Sequence, residues 1–195
     1  MPRPDGRYAP DERWPGVLRT RLAGTWHVVE AGLCSRTTTC DDPIEFEYDK
    51  NGARALPGVL HAARPVDALA IMLGTNDLKA RYVRTAADIA AGVGALVAMA
   101  RASRTGPGGT APRVLVICPA TVAPTLHEMY VEMFAGAHAR SLEMPAHYAA
   151  MARGCGADYL DAAALVQPDG FDGIHLGPDA HAVLGAAVAD RLRTW

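Results

Sequence analysis

An aspartate three residues ahead of a histidine on a loop can bring its carboxylate to the imidazole Nδ1. It thereby fixes the tautomer and stabilises the imidazolium, while Nε2 serves as a general base. Asp172 and His175 have that spacing, in the stretch Phe171-Asp172-Gly173-Ile174-His175-Leu176. A second kind of chemistry needs a side-chain amide and a backbone N–H aimed at one point, where they meet an oxyanion whose charge appears only in the transition state. Asn76, in Gly74-Thr75-Asn76-Asp77, and the turn at Ser35, in Ala31-Gly32-Leu33-Cys34-Ser35-Arg36-Thr37-Thr38, can supply those donors. Each signal alone is weak. D-x-x-H arises by chance, and Asn-Asp after Gly is ordinary turn chemistry. Their meaning depends on what positions them.

Four short apolar runs, residues 26–30, 68–73, 114–118 and 158–160, read as buried strands, being too short for helices and rich in β-branched or large aliphatic residues. Between them lie helical signals. Thr85 with Asp88 three residues on resembles a capping box, and Ile89, Val93, Leu96, Val97 and Ala100 follow as an apolar stripe on one helix face. Residues 104–112 (RTGPGGTAP) form a Gly- and Pro-rich connection, and Gly177-Pro178-Asp179 starts a last helix with Pro at its first position. Apolar strands alternating with amphipathic helices predict a doubly wound parallel α/β sheet, one domain over residues 1–195. In such sheets functional loops gather beyond the carboxyl ends of the strands. All three candidate loops fall there.

Composition narrows the function classes. The chain has 195 residues, 50% hydrophobic and 21% charged, with a formal net charge of -2, so it lacks the basic footprint of a nucleic-acid partner. No apolar run approaches the ~18 residues of a membrane span, and the first ten residues lack the apolar centre of a signal peptide, so a cytoplasmic protein is expected. Cys34, Cys40, Cys118 and Cys155 match no zinc or redox spacing and are expected to be buried free thiols; neither a metal nor a cofactor is expected. His181 reads as a helix-surface residue rather than a second base, and His27 as a sheet residue. Met129, Met133, Met144 and Met151 read as core or interface filling ahead of an acyl pocket. Trp14 and Trp26 read as core or rim anchors.

Taken together, the three loops resemble the later sequence blocks of the SGNH (GDSL-type) hydrolases. EAGLCSRTT resembles the second block, IMLGTND the third and DGIHL the fifth. RYAPDERWPGVL, SRTTTCDDP and NGARALPGVL are similar to the arylesterase and acyltransferase branch, so the likeness spans nearly the whole chain. It implies a flavodoxin-like SGNH fold and a carboxylic ester hydrolase or acyltransferase acting on small esters without a cofactor. It further implies that Asp172 and His175 are the acid and base of a triad, and that Asn76 and the Ser35 N–H form the oxyanion hole. Many relatives carry Gly at the Ser35 place; only the N–H is needed. Residues 42–60 would shape an entrance or a contact in a homo-oligomer.

The family's first block, an apolar strand followed by G-D-S-L with the nucleophilic serine, is not in this sequence. The only serines are Ser35, Ser103 and Ser141. Ser35 is awkward as a nucleophile because its N–H would face the same carbonyl; Ser103 and Ser141 read as structural, and Cys34 as an inert buried thiol. The expectation is therefore a natural product that begins about twenty residues earlier, the length of a strand and its turn, with the 195-residue chain lacking its first strand and inactive on its own. The alternative is a non-catalytic binding or interaction domain that keeps the loops. A nucleotide-binding domain is disfavoured by the lack of a glycine-rich phosphate loop.

Overall fold

A computed structural model describes residues 7–45 and 47–195 of the chain. Its sheet has three parallel strands in the order β1-β2-β3: β1 (Ala68–Ile71), β2 (Arg113–Cys118) and β3 (Asp158–Asp161). Ala68 stands opposite Arg113, and Leu115 opposite Asp158. β2 is the axis of the molecule. Its side chains alternate between two cores with the period of two that a pleated strand imposes. Val114, Val116 and Cys118 enter one core with α2 (Gly52–Ala63), α3 (Ala86–Ser103) and α5 (Ala137–Cys155). Leu115 and Ile117 enter the other, with α1 (Trp14–Arg21) and α6 (Pro178–Leu192). A strand covered on both faces has to be apolar throughout, which is why RVLVIC reads as a continuous run. A short α4 (Glu128–Val131) precedes α5.

The expected α/β fold with a parallel sheet is the fold observed. α3 begins at the capping box: Asp88 N–H donates to Thr85 Oγ1 at 3.1 Å and Thr85 N–H to Asp88 Oδ2 at 3.0 Å. Its stripe of Ile89, Val93, Leu96, Val97 and Ala100 is buried. By length and composition α3 could cross a membrane, contrary to the expectation that no segment would qualify. That stripe packs instead in the core shared with α2 and α5. α6 starts at Pro178 behind Gly177, as the sequence indicates.

One strand assignment is corrected. Residues 26–30 form no regular element and pair with no strand among the described residues. Trp26 and Val28 still pack on the α1/α6 core, while His27 and Val29 are exposed, so the alternation of a strand is present without its ladder. Apolar patterning buries side chains, but a strand also needs a neighbouring backbone to take its N–H and C=O groups. Likewise, among the described residues β1 pairs only with β2, on one of its edges.

Candidate active site

The loop of Asp172 and His175 is held together by local geometry. Gly173 has φ +79°, a region costly to a residue with a side chain, and a Cβ there would fall 2.6 Å from the Thr125 carbonyl oxygen. The turn wraps the backbone around Asp172. Ile174 and His175 N–H both donate to Asp172 Oδ1 at 2.8 Å, leaving Oδ2 to meet His175 Nδ1 at 2.6 Å. Burial pushes the Asp172 carboxyl up, but the two backbone N–H groups and the imidazole outweigh it and hold the group below its ordinary range. The imidazole side chain is 66% exposed against 10% for the aspartate. A carboxylate buried behind an exposed imidazole leaves Nε2 facing solvent, where a proton can be taken or given.

The second loop follows β1. Gly74 has φ +125°, and a Cβ there would lie 2.1 Å from Tyr148 Oη, whose hydroxyl donates to the Leu73 carbonyl at 2.7 Å. The chain then enters a 3₁₀ turn, Asn76–Leu78. Asn76 Nδ2 donates to the Arg36 carbonyl at 3.2 Å, which joins this turn to the segment carrying Ser35 and leaves the second N–H of the amide. Ser35 itself has φ +56°, in the left-handed region. Its N–H makes no hydrogen bond among the described residues. An amide and an unengaged N–H on adjoining turns are the donors expected for an oxyanion.

Neighbouring residues that sequence reasoning missed tie these turns down. Asp77, 1% exposed, accepts Thr38 N–H at 3.0 and 3.1 Å and Thr38 Oγ1–H at 2.5 Å. Burial pushes its carboxyl up to about 6 despite those donors. Lys79, 2% exposed, places Nζ 3.2 Å from Ser35 Oγ and 2.6 Å from Glu45 Oε1. Tyr130 stands beside the imidazole. Its ring lies edge-on to His175 with centroids 6.2 Å apart. Burial, then Asp172, then Glu45, raise its hydroxyl above the ordinary tyrosine value. The signal for Lys79 was its place three residues after Asn76, one turn of a 3₁₀ path; Glu45 and Tyr130 carried none.

Several expectations change. Cys34 is exposed rather than buried, with its carbonyl accepting from Tyr48 Oη at 3.2 Å. His181 is not a free surface residue: its Nδ1 accepts the Trp14 N–H at 3.3 Å and so joins α6 to α1. Burial, then the positive Arg13 and the neighbouring His175, lower its basicity. Met144 fills core, but Met129 is exposed on α4 beside the site. Ser103 and Ser141 bond to local backbone, Ala100 O at 2.6 Å and His138 O at 2.7 Å, as structural serines do. A cavity of about 440 Å³ lies between residues 39–54 and 81–84, lined by Thr39, Arg54, Arg81 and Tyr82 among others; none of Ser35, Asn76, Asp172 or His175 lines it.

The chain and its fold have known counterparts. Over its full length the chain is 38% identical to an aryl esterase of M. smegmatis, 92% of which it covers, with a TM-score of 0.90. It is 36% identical to a carbohydrate acetylesterase from Sinorhizobium meliloti, covering 100% of this chain and 92% of that one at a TM-score of 0.91. For an arylesterase from Agrobacterium tumefaciens, described as putative, the figures are 31% identity, 96% and 89% coverage and a TM-score of 0.85. No curated protein sequence matches the chain. Residues 3–183 match the GDSL-like lipase/acylhydrolase family, and with that match and these neighbours the chain belongs to it.

Proposed function

We propose that this fold hydrolyses small carboxylic esters by acyl transfer, with no cofactor. The observation that carries the reading is the 2.6 Å contact between Asp172 Oδ2 and the Nδ1 of an exposed imidazole, in a chain whose structural neighbours are esterases. Asp172 fixes the His175 tautomer. His175 Nε2 takes the proton of an attacking hydroxyl and returns it to the leaving alkoxide. Ser35 N–H and the Asn76 amide hold the oxyanion of the tetrahedral intermediate. The acyl-enzyme is resolved by water, or by an alcohol if a transferase bias exists.

The nucleophile is the serine of the family's G-D-S-L block, which the 195 residues do not contain. Ser35 is a poor substitute because its Oγ is held by the Lys79 ammonium. The second reading is a domain that keeps these loops and binds ester-like ligands without turning them over.

A fluorophosphonate probe, with the adduct located by mass spectrometry, separates these outcomes. The 195-residue chain and the same chain extended by the codons immediately upstream are both treated, and p-nitrophenyl acetate hydrolysis is followed in parallel. The expected result is a labelled upstream serine with ester turnover in the extended form. A label on Ser35 reassigns the nucleophile. No label and no turnover in either form leaves the binding domain.

A further inference from the structure

Ser35 is unusual in this molecule. Only three described residues other than glycine have positive φ, namely Ser35, Val83 and Arg104, and Ser35 alone of them lies in a candidate site loop. The left-handed conformation is disfavoured by any Cβ, so something must hold it. Three contacts surround the turn. Tyr48 Oη donates to the Cys34 carbonyl at 3.2 Å, Asn76 Nδ2 to the Arg36 carbonyl at 3.2 Å, and Lys79 Nζ to Ser35 Oγ at 3.2 Å. The last joins the Ser35 side chain to a buried charge. The Glu45 carboxylate also takes a hydrogen bond from Ser35.

Lys79 is anchored in turn. Its Nζ lies 2.6 Å from Glu45 Oε1, which Arg81 Nη2 also reaches at 2.6 Å; Arg81 bonds Asp42 at 2.5 Å, and Tyr82 Oη donates to Asp42 at 2.7 Å. Two cations and two carboxylates sum to zero charge, so the cluster contributes geometry more than net field. Backbone continues the link, because Lys79 N–H donates to the Asn76 carbonyl at 3.1 Å. One residue therefore touches both turns that carry the oxyanion donors, through its side chain to Ser35 and through its main chain to Asn76.

We propose that Lys79 is a positioning residue for ester hydrolysis: through Ser35 Oγ it holds the left-handed turn that aims the Ser35 N–H, and through Asn76 it sets the distance between the two donors. This rests on the reading of the site as an oxyanion hole, but the hold on the turn is testable without it. Positional control of this kind commonly decides whether a preorganised donor is effective.

The test uses Lys79→Met, Lys79→Arg and Ser35→Gly, singly and with Lys79→Met and Ser35→Gly combined. Hydrogen exchange of the amides in residues 33–38, read against those of α3 as internal control, reports the turn whether or not the chain turns over. Lys79→Met is expected to speed exchange there by about tenfold or more, and Lys79→Arg to restore part of the protection. Ester kinetics in the turnover-competent form add the functional readout: kcat falls about tenfold with KM little changed. Glycine adopts positive φ freely, so Lys79→Met in the Ser35→Gly background is expected to lose far less than in the native background. Unchanged exchange in Lys79→Met overturns the proposal, as does an equal loss in both backgrounds. Faster exchange without any ester turnover in native protein leaves the hold on the turn standing and sinks the hydrolase reading instead.

Discussion

Two carboxylates follow strands or loops at the same end of the sheet, and their environments drive them apart. Asp77 is 1% exposed and takes its hydrogen bonds from neutral donors, chiefly the N–H and hydroxyl of Thr38; burial outweighs these and the nearby Arg84, and its carboxyl rises to about 6. Asp172 is also buried, yet two backbone N–H groups and an imidazole hold it below its ordinary value. The first fastens one loop to another. The second reaches, through His175, a ring that faces solvent. Depth of burial therefore does not distinguish the two carboxylates here; the partner does, and under the proposed function the imidazole is what passes on the influence of the Asp172 charge.

The comparison is broken most severely at His175 and Asp172. In turnover-competent protein, Asp172→Asn is expected to lower kcat by about 10³–10⁴, since the amide favours the wrong imidazole tautomer, with native-like folding by circular dichroism. A rate within tenfold of native would remove Asp172 from the chemistry. Asn76→Ala should cost about 10²–10³ in kcat, the usual toll for one oxyanion donor, and a near-native rate would dismiss the amide. Asp77→Ala strikes the scaffold instead. Urea unfolding is expected to show a loss of about 2–3 kcal/mol, because the buried Thr38 N–H and hydroxyl are left without an acceptor. A change below ~0.5 kcal/mol would contradict its tethering role.

The pH dependence sharpens the contrast by sign. Between pH ~4 and ~6 the folded chain holds the Asp77 proton more tightly than the unfolded chain does, so that contribution to stability is present at low pH and is lost as pH rises through about 6. Its ceiling is about 3 kcal/mol, from a displacement of about two pH units at 1.36 kcal/mol each. Asp172 acts oppositely: its contribution is present above the ordinary carboxylate range and is lost as pH falls through its lowered value. Relative to the native chain, stability should fall less, or rise more, as pH goes from 4 to 6 in Asp77→Asn, and be less acid-sensitive in Asp172→Asn. Curves parallel to that of the native chain in both variants would mean that neither carboxylate is placed as described.

What could be read from the sequence was what short range determines. A spacing of three residues and one glycine suffice to bring Asp172 onto His175, and a Thr and an Asp at the same spacing suffice to start α3. β2 was legible as a buried strand for the same reason: a short continuous apolar run is a property of one segment. Tertiary structure decided everything that needed a partner from elsewhere. Lys79 meets Ser35 across 44 positions, Asp77 meets Thr38 across 39, and Glu45 meets Lys79 across 34. Residues 26–30 have the pattern of a strand, yet only an adjacent backbone could have made them one.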